Sequence, residues 1–355
     1  MKKSNGTLIT LLLVAIHACL FFVLIGISGE QTMEPTAPQP DRQATASDEA
    51  TTPEVSAGLS PTVAQPASLP TIYTPASEPG RLRNDRPDRR TTRNYSSLKE
   101  TPYHGAIVVD ARSGKILFEE RAGTYGYPAS VTKLMTLLLT LEAIDRGETA
   151  LNDRVRITAE AASIGGSQLW LDTRETDLTV EDLLYGIMVH SANDAARALS
   201  IHVAGSRAAF VERMNQRARE LGMNATRYVT DHGLPPGDSS QPDISTPYDI
   251  ALLSLACLRH PKTLTYSGTE LHYLREGATM LATRNALAKR VDGYAGCDGL
   301  KTGYHQRGGW SLAATAERNG RRIVSVVLGS PDKATRNAIS RQLLDRGFEA
   351  LETNR

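Results

Sequence analysis

Hydrophobic and polar positions divide the chain into three regimes. Leu8 to Ile27 is an uncharged apolar run, long enough to cross a bilayer as a helix. From about Glu30 to Ser97 the chain is rich in Pro, Thr, Ala, Ser and Gln and shows no apolar periodicity. Such a segment buries too little apolar surface to offset its ordering entropy, which predicts a disordered tether of roughly 50 Å reach. Periodic patterns begin near Tyr103, so the expected organisation is 1–29, an N-terminal span; 30–100, a linker; and 101–355, one folded unit.

Within that unit, Ala106–Asp110 reads as a buried strand, 111–114 as a turn, and Lys115–Glu119 as the returning strand. Tyr127 to Met135 leads into an apolar run through Leu137, Leu138, Leu139, Leu141 and Ile144. That run is apolar on nearly every face after Lys133 and predicts a helix through the core. Thr179 with Glu181 and Asp182 supplies a cap and an acidic first turn for a helix through Leu183, Leu184, Ile187 and Met188. Further helices are expected at Ala195–Val203, at Arg207–Leu221 before Gly222, and at Tyr248–Leu258 behind Ser245-Thr246-Pro247. The last third turns to strands, 297–304, 310–316 and 323–328, with Asn319-Gly320 as a hairpin signal between the last two. A closing helix, Thr335–Leu344, is expected to end near Gly347. Strands at both ends with helices between predict an α+β fold: one sheet, joined late in the chain, against a helical lobe.

Composition narrows the function classes. The net charge of +1 is spread over well-mixed acidic and basic residues, so no nucleic-acid footprint is visible. Lys2 and Lys3 before the apolar run place the bulk of the chain outside the cytoplasm. The run reads as a retained membrane anchor, the alternative being a signal peptide cleaved near Gly26 or Ser28. Arg81, Arg83, Arg86, Arg89, Arg90 and Arg93 read as a solvated basic stretch, with contact to anionic polymers or lipid as the alternative. Cys19 lies in the apolar run, and whether Cys257 and Cys297 pair stays open. There is no H-E-x-x-H and no spaced Cys/His set, so neither a metal nor a cofactor is expected.

The chemistry centres on Ser130-x-x-Lys133. Residues three apart share a helix face, so a helix starting near Pro128 would bring the Ser130 hydroxyl and the Lys133 amine together. A neutral amine there could take the hydroxyl proton. The pattern is weak alone, and Ser96-x-x-Lys99 is a second, coincidental match in a polar stretch. Two more short motifs follow in order, Ser191-Ala192-Asn193 and Lys301-Thr302-Gly303. His190 and His232 invite a Ser-His-Asp proposal, but no G-x-S-x-G elbow exists, and they are read as structural.

In this order the three motifs resemble those of the penicillin-recognising serine hydrolases. The likeness is closest to the serine-type D-Ala-D-Ala carboxypeptidases, the low-molecular-mass penicillin-binding proteins. It covers nearly all of 103–349. It also rests on 180–186 (VEDLLYG), 193–196 (NDAA), Leu221-Gly222-Met223 with Thr226, His232-Gly233-Leu234, Ser245-Thr246 and 325–329 (SVVLG). No stretch matches the β-rich second domain and amphipathic tail that many members carry, and the N-terminal run is expected to serve as the anchor instead.

The resemblance implies a β-lactamase/transpeptidase-like fold, an antiparallel sheet covered by helices plus an all-helical lobe. It implies peptidoglycan stem peptides ending in D-Ala-D-Ala as substrate, β-lactams as covalent inhibitors, and a place in the bacterial cell envelope. Ser130 would be the nucleophile and Lys133 its base, with a pKa lowered from about 10.4 toward ~7–8 by burial, the helix N-terminus and Lys301. Ser191 would relay a proton to the leaving amine, and Asn193 would hold the substrate amide. Lys301, Thr302 and Arg336 would bind the terminal carboxylate beside Gly303. Backbone N–H groups of Ser130 and Tyr304 would form the oxyanion hole. Three alternatives stand beside carboxypeptidase activity: a DD-endopeptidase, a β-lactamase using Glu220-x-x-x-Asn224, and a β-lactam sensor.

Overall fold

A computed structural model describes residues 99–235 and 242–353. Strands β1 (Gly105–Asp110) and β2 (Ile116–Glu120) form the first hairpin. Its turn is fixed by the Asp110 carboxylate, which accepts from the Arg112 and Ser113 amides. The chain then enters a 3₁₀ turn, Ala129–Thr132, continuous with α1 (Lys133–Asp145). A single turn, α2 (Ala159–Ala162), precedes α3 (Val180–Tyr185). As the sequence predicts, the Thr179 hydroxyl and the Asp182 carboxylate cap each other's amides at the start of α3. A π-helical turn, Gly186–His190, extends α3. Next come α4 (Asn193–Ala204), α5 (Arg207–Glu220) and, opening on Pro247 behind a Thr246 cap, α6 (Pro247–Cys257).

After α7 (Lys262–Ser267), a small hairpin, β3 (Leu271–Leu274) and β4 (Thr279–Ala282), stands apart from the main sheet. The long strands β5 (Cys297–His305), β6 (Gly309–Arg318) and β7 (Arg321–Ser330) follow, and α8 (Lys333–Thr353) closes the unit. The main sheet runs β2-β1-β7-β6-β5, each pair antiparallel. The first and last thirds of the chain therefore meet where β1 pairs with β7, as the strand pattern implied. Asn319 and Gly320, with φ of 51° and 70°, make the positive-φ pair of the predicted tight turn.

The sheet is buried on both faces, and strand alternation sorts its residues between them. Ile107, Val109, Val324 and Val326 pack on the helical lobe, with Leu134, Leu137 and Leu138 of α1. Ala106, Val108, Ile323 and Val327 pack on Leu344 and Phe348 of α8.

Four readings are corrected or sharpened. Ser130 lies in the 3₁₀ turn rather than in α1 itself, yet remains one turn from Lys133. The closing helix does not stop near Gly347 but runs on to Thr353. A Cβ at Gly347 would sit 2.7 Å from Val108 Cγ1 and 2.8 Å from Ile323 Cδ1, so this glycine marks a close helix-on-sheet crossing and not a C-cap. The β3–β4 hairpin was not predicted because Leu271, Tyr273 and Met280 face solvent, which inverts the usual meaning of its apolar residues; its inner His272 stacks on Tyr185 at 3.6 Å. Cys257 and Cys297 are free thiols, both raised in pKa by burial. The apolar run, the tether, its arginines, Cys19 and Ser96 lie outside the described residues. Among those described, no helix is long and apolar enough to cross a membrane.

The close crossing at Gly347 is testable. Gly347→Val should overpack α8 against β1 and β7 and lower the unfolding free energy by about 1–3 kcal/mol in urea titration.

Candidate active site

Three elements converge because glycines let them. A Cβ at Gly303 of β5 would lie 2.4 Å from the Pro128 carbonyl oxygen and 3.1 Å from Val131 Cγ2, so β5 rests directly on the Ser130 turn. Gly233, at φ +84°, approaches from the loop after α5; a Cβ there would sit 1.9 Å from the Ala129 carbonyl oxygen. Ala129 itself holds φ at 50°, a left-handed conformation that costs a residue with a Cβ about 1–2 kcal/mol. Strain thus sits immediately before the candidate nucleophile and is held in place from two sides.

Lys133 is fully buried, and its Nζ has three acceptors. It donates to Ser130 Oγ at 3.2 Å, Asn193 Oδ1 at 2.7 Å and the His232 carbonyl at 2.6 Å. Burial lowers its pKa from 10.5 to about 7, against the upward pull of Asp231, Asp243 and Asp194 and with help from Arg284. Of the expected causes, burial acts on Lys133, whereas Lys301 is not among those that lower it. Burial dominates, and repulsion between the two lysines falls on Lys301, which burial, Lys133, Arg284 and Arg336 together hold well below its ordinary range.

Across the cleft, Ser191 sits at φ 65° where the π-helical turn ends. Its Oγ accepts from Lys301 Nζ at 2.9 Å, and the same amine reaches the Thr302 carbonyl at 3.1 Å. Asn193 is engaged at both ends, since its Nδ2 donates to the Gly165 carbonyl at 2.8 Å while Oδ1 receives Lys133. Its observed contacts therefore tie the base to the 165–167 loop. Ser130, Ser191, Asn193, Thr302, Gly303, Tyr304 and Arg336 all line one cleft of ≈ 480 Å³, with Lys301 buried in its wall. Tyr304 is half exposed, its ring 4.4 Å from Trp310.

Arg336, in the first turn of α8, is buried with its guanidinium 5.7 Å from the Trp310 ring. Its hydrogen bonds go to Asn337 Oδ1, and burial lowers its pKa to about 10. A buried cation without a carboxylate partner among the described residues is poised to receive an anion.

Two of the weaker sequence readings can now be placed. His232 is buried and held neutral, its pKa lowered to about 3 chiefly by burial; it serves Lys133 through its carbonyl. His190 is also lowered by burial, and Ser191 Oγ receives Lys301 rather than an imidazole. Glu220 pairs with Arg217 at the end of α5 and is absent from the cleft lining, so the E-x-x-x-N pattern positions no water there. Among the described residues, no His/Cys/Asp/Glu group could hold a metal ion.

Sequence reasoning missed three supports. Arg284 lines the cleft and donates to the His190 carbonyl at 2.7 Å and Ser167 Oγ at 2.9 Å; an arginine in an unpredicted loop gave no signal. The buried Asp194 carboxylate accepts from the Leu169 and Leu171 amides and so fixes the 166–171 loop; its place beside Asn193 was the available clue. Arg197 and Asp231 form a buried bidentate pair, Nε to Oδ2 at 2.6 Å and Nη2 to Oδ1 at 3.1 Å, under the His232 carbonyl that Lys133 uses. Burial pushes Asp231 up, but Arg197 and His232 hold it below the ordinary range. Without Asp231 the buried Arg197 would keep only the exposed Glu160, 2.8 Å from its Nη1, so Asp231→Ala should lower the unfolding free energy by about 3 kcal/mol in urea titration.

Comparison with known proteins places this geometry. The family profile for D-alanyl-D-alanine carboxypeptidases, peptidase family S11, matches residues 93–332. The D-alanyl-D-alanine carboxypeptidase DacF of Bacillus subtilis is 36% identical over 252 residues, covering 70% of this chain and 63% of that protein. DacA of Escherichia coli K12 is 33% identical over 252 residues, 70% of this chain and 61% of that protein. The match thus spans a little under two thirds of these relatives. Among solved structures, penicillin-binding protein D2 of Listeria monocytogenes, with ampicillin bound, aligns with a TM-score of 0.62 at 31% identity, covering 70% of this chain and 97% of that one. Penicillin-binding protein 5 of Haemophilus influenzae aligns at 0.64 and 30%, covering 70% and 71%. With more than half of its length matched by the profile and its described fold shared with penicillin-binding proteins, the chain belongs to the D-alanyl-D-alanine carboxypeptidase family of serine peptidases.

Proposed function

We propose that residues 101–355 form a serine DD-carboxypeptidase that removes the terminal D-Ala from peptidoglycan stem pentapeptides and is acylated by β-lactams. The observation that carries this reading is the buried Lys133 amine bonded to Ser130 Oγ, facing the Lys301–Ser191 pair across one cleft. The relatives named carboxypeptidases and the neighbour solved with ampicillin support the same chemistry.

In this mechanism the substrate's terminal carboxylate lies at Lys301, Thr302 and Arg336. Ser130 Oγ attacks the carbonyl carbon of the penultimate D-Ala while Lys133 takes the hydroxyl proton. The Ser130 and Tyr304 amides receive the developing oxyanion, each worth about 3–4 kcal/mol. As the C–N bond breaks, a proton passes from Lys133 through the Ser191 hydroxyl to the leaving amine, and free D-Ala departs. Water then attacks the Ser130 ester, giving its proton to Lys133, and the collapse of the second intermediate returns that proton to Ser130. Asn193 holds Lys133 in line throughout, and its remaining Nδ2 hydrogen is left for the substrate amide.

The N-terminal run, Leu8–Ile27, is proposed as a single membrane anchor and 30–100 as the spacer, placing the catalytic unit outside the cytoplasm in the cell envelope. A mature protein whose N-terminus lies near Gly29 would show a cleaved signal peptide instead.

Two outcomes test the chemistry. Mass spectrometry with a muropeptide pentapeptide should show D-Ala release that Ser130→Ala abolishes, together with a penicillin adduct on Ser130. Loss of cross-linked dimers would make the enzyme an endopeptidase, rapid penicillin turnover a β-lactamase, and an adduct with no D-Ala release a sensor. Below pH 7 Lys133 holds its proton and cannot accept another; above it the amine is free. The acylation rate at low substrate should therefore rise with pH, with its midpoint near 7, and a rate flat from pH 5 to 9 would remove Lys133 as the base.

A further inference from the structure

The cleft carries more positive charge than the proposed reaction consumes. Among the described residues its lining includes Arg284, Lys289, Lys333 and Arg336 and no Asp or Glu, and Lys301 stands in its wall. A terminal carboxylate is a single charge, and the proposed mechanism gives it to Lys301, Thr302 and Arg336. None of the four lining cations makes an ion pair with a described residue; Arg284, for example, has only the neutral His190 carbonyl and Ser167 Oγ, with His190 Nε2 at 3.5 Å. The nearby Arg275, at the tip of the small hairpin, is by contrast bidentate to Glu175. A concave site lined by one sign of charge focuses its field on whatever enters.

The cations also occupy distinct places along β5. Arg336 lies beside Trp310, which pairs with Tyr304. Arg284 belongs to the loop that Asn285 ties to the Gly299 carbonyl at 3.1 Å, and it reaches the Ser191 side of the cleft through His190. Lys289 follows on the same loop after the 3₁₀ turn Ala286–Ala288. Arg336 and Arg284 therefore stand toward opposite ends of the Lys301–Gly303 stretch that rests on Ser130. With the terminal carboxylate at the Arg336 end, the acyl side of the scissile bond runs toward Arg284 and Lys289.

Resting on the proposed DD-carboxypeptidase reading, we infer that Arg284 and Lys289 form a second anion subsite. It selects peptides that carry a carboxylate on the residue preceding the D-Ala-D-Ala pair and disfavours those with an amine there.

The test compares acetyl-Glu-D-Ala-D-Ala, acetyl-norleucyl-D-Ala-D-Ala and acetyl-Lys-D-Ala-D-Ala on the purified folded protein, reading kcat/KM from D-Ala release. The anionic peptide should exceed the neutral one, and the neutral one the cationic one, by about twofold to fivefold per step at low salt, the range of one exposed charge pair. The preference should shrink as salt shortens the screening length. Lys289 is a surface side chain, so Lys289→Glu is a folding-safe charge reversal, and it should lower the anionic-to-cationic ratio. Equal kcat/KM for the three peptides, or an unchanged ratio in Lys289→Glu, overturns the inference and leaves D-Ala hydrolysis standing. Release of D-Ala from none of them overturns both.

Discussion

An amine that must be neutral to work has to be kept from water, and the molecule is arranged around keeping Lys133 dry. The preference for the neutral amine implied by a fall from 10.5 to about 7 is about 5 kcal/mol. That preference comes from enclosure: α1 is apolar on nearly every side, with Leu134, Met135, Leu137 and Leu138 fully buried around the first turn that carries the lysine. The antiparallel sheet supplies one wall of the enclosure and the helical lobe the others. Burial alone would orphan the amine's hydrogen-bonding capacity, which is why Ser130 Oγ, Asn193 Oδ1 and the His232 carbonyl converge on it. The His232 carbonyl in turn depends on the Arg197–Asp231 pair, so a charge pair 60 or more residues away in sequence from Lys133 sets the geometry of the base.

Much of this was legible in the order of residues. The near-continuous apolar runs of Ala106–Val109 and Ile323–Leu328 report strands buried on both faces, and the all-round apolar run after Lys133 reports a central helix. Three motifs identify the cleft because their spacing along the chain carries information that none has alone. What was not legible is tertiary. Gly347 reads as a helix stop, and only the crossing with Val108 and Ile323 explains it as a contact point. Arg284 sits in a loop without periodicity, and its value lies in the His190 carbonyl it meets 94 positions away. Lys301 is expected beside burial as a cause of the Lys133 shift because repulsion between two amines is visible from their types; that the repulsion falls on Lys301 instead is a tertiary matter.

Placing two amines in one cleft creates a problem that the position of the substrate's charge must solve. A proton on either amine disfavours a proton on the other, and Lys301 carries that repulsion. An arriving carboxylate favours protonation of both, which would disarm the base if the anion approached Lys133 as closely as Lys301. The fold separates the two. Lys301 and Thr302 lie on β5 and Arg336 on α8, whereas Lys133 lies beneath Ser130 with its amine already engaged by three neutral acceptors. In the proposed reaction the carboxylate therefore stabilises the charged form of Lys301 first, and Arg336, a cation that burial leaves short of a counter-ion, takes a share of the anion's field. The same reasoning bears on the excess positive charge along the cleft. Arg284 lowers the proton affinity of both lysines, so an anionic group bound there would weaken that effect on Lys133. A second carboxylate is compatible with catalysis only where solvent screens it from Lys133, and Arg284 and Lys289 are both exposed side chains.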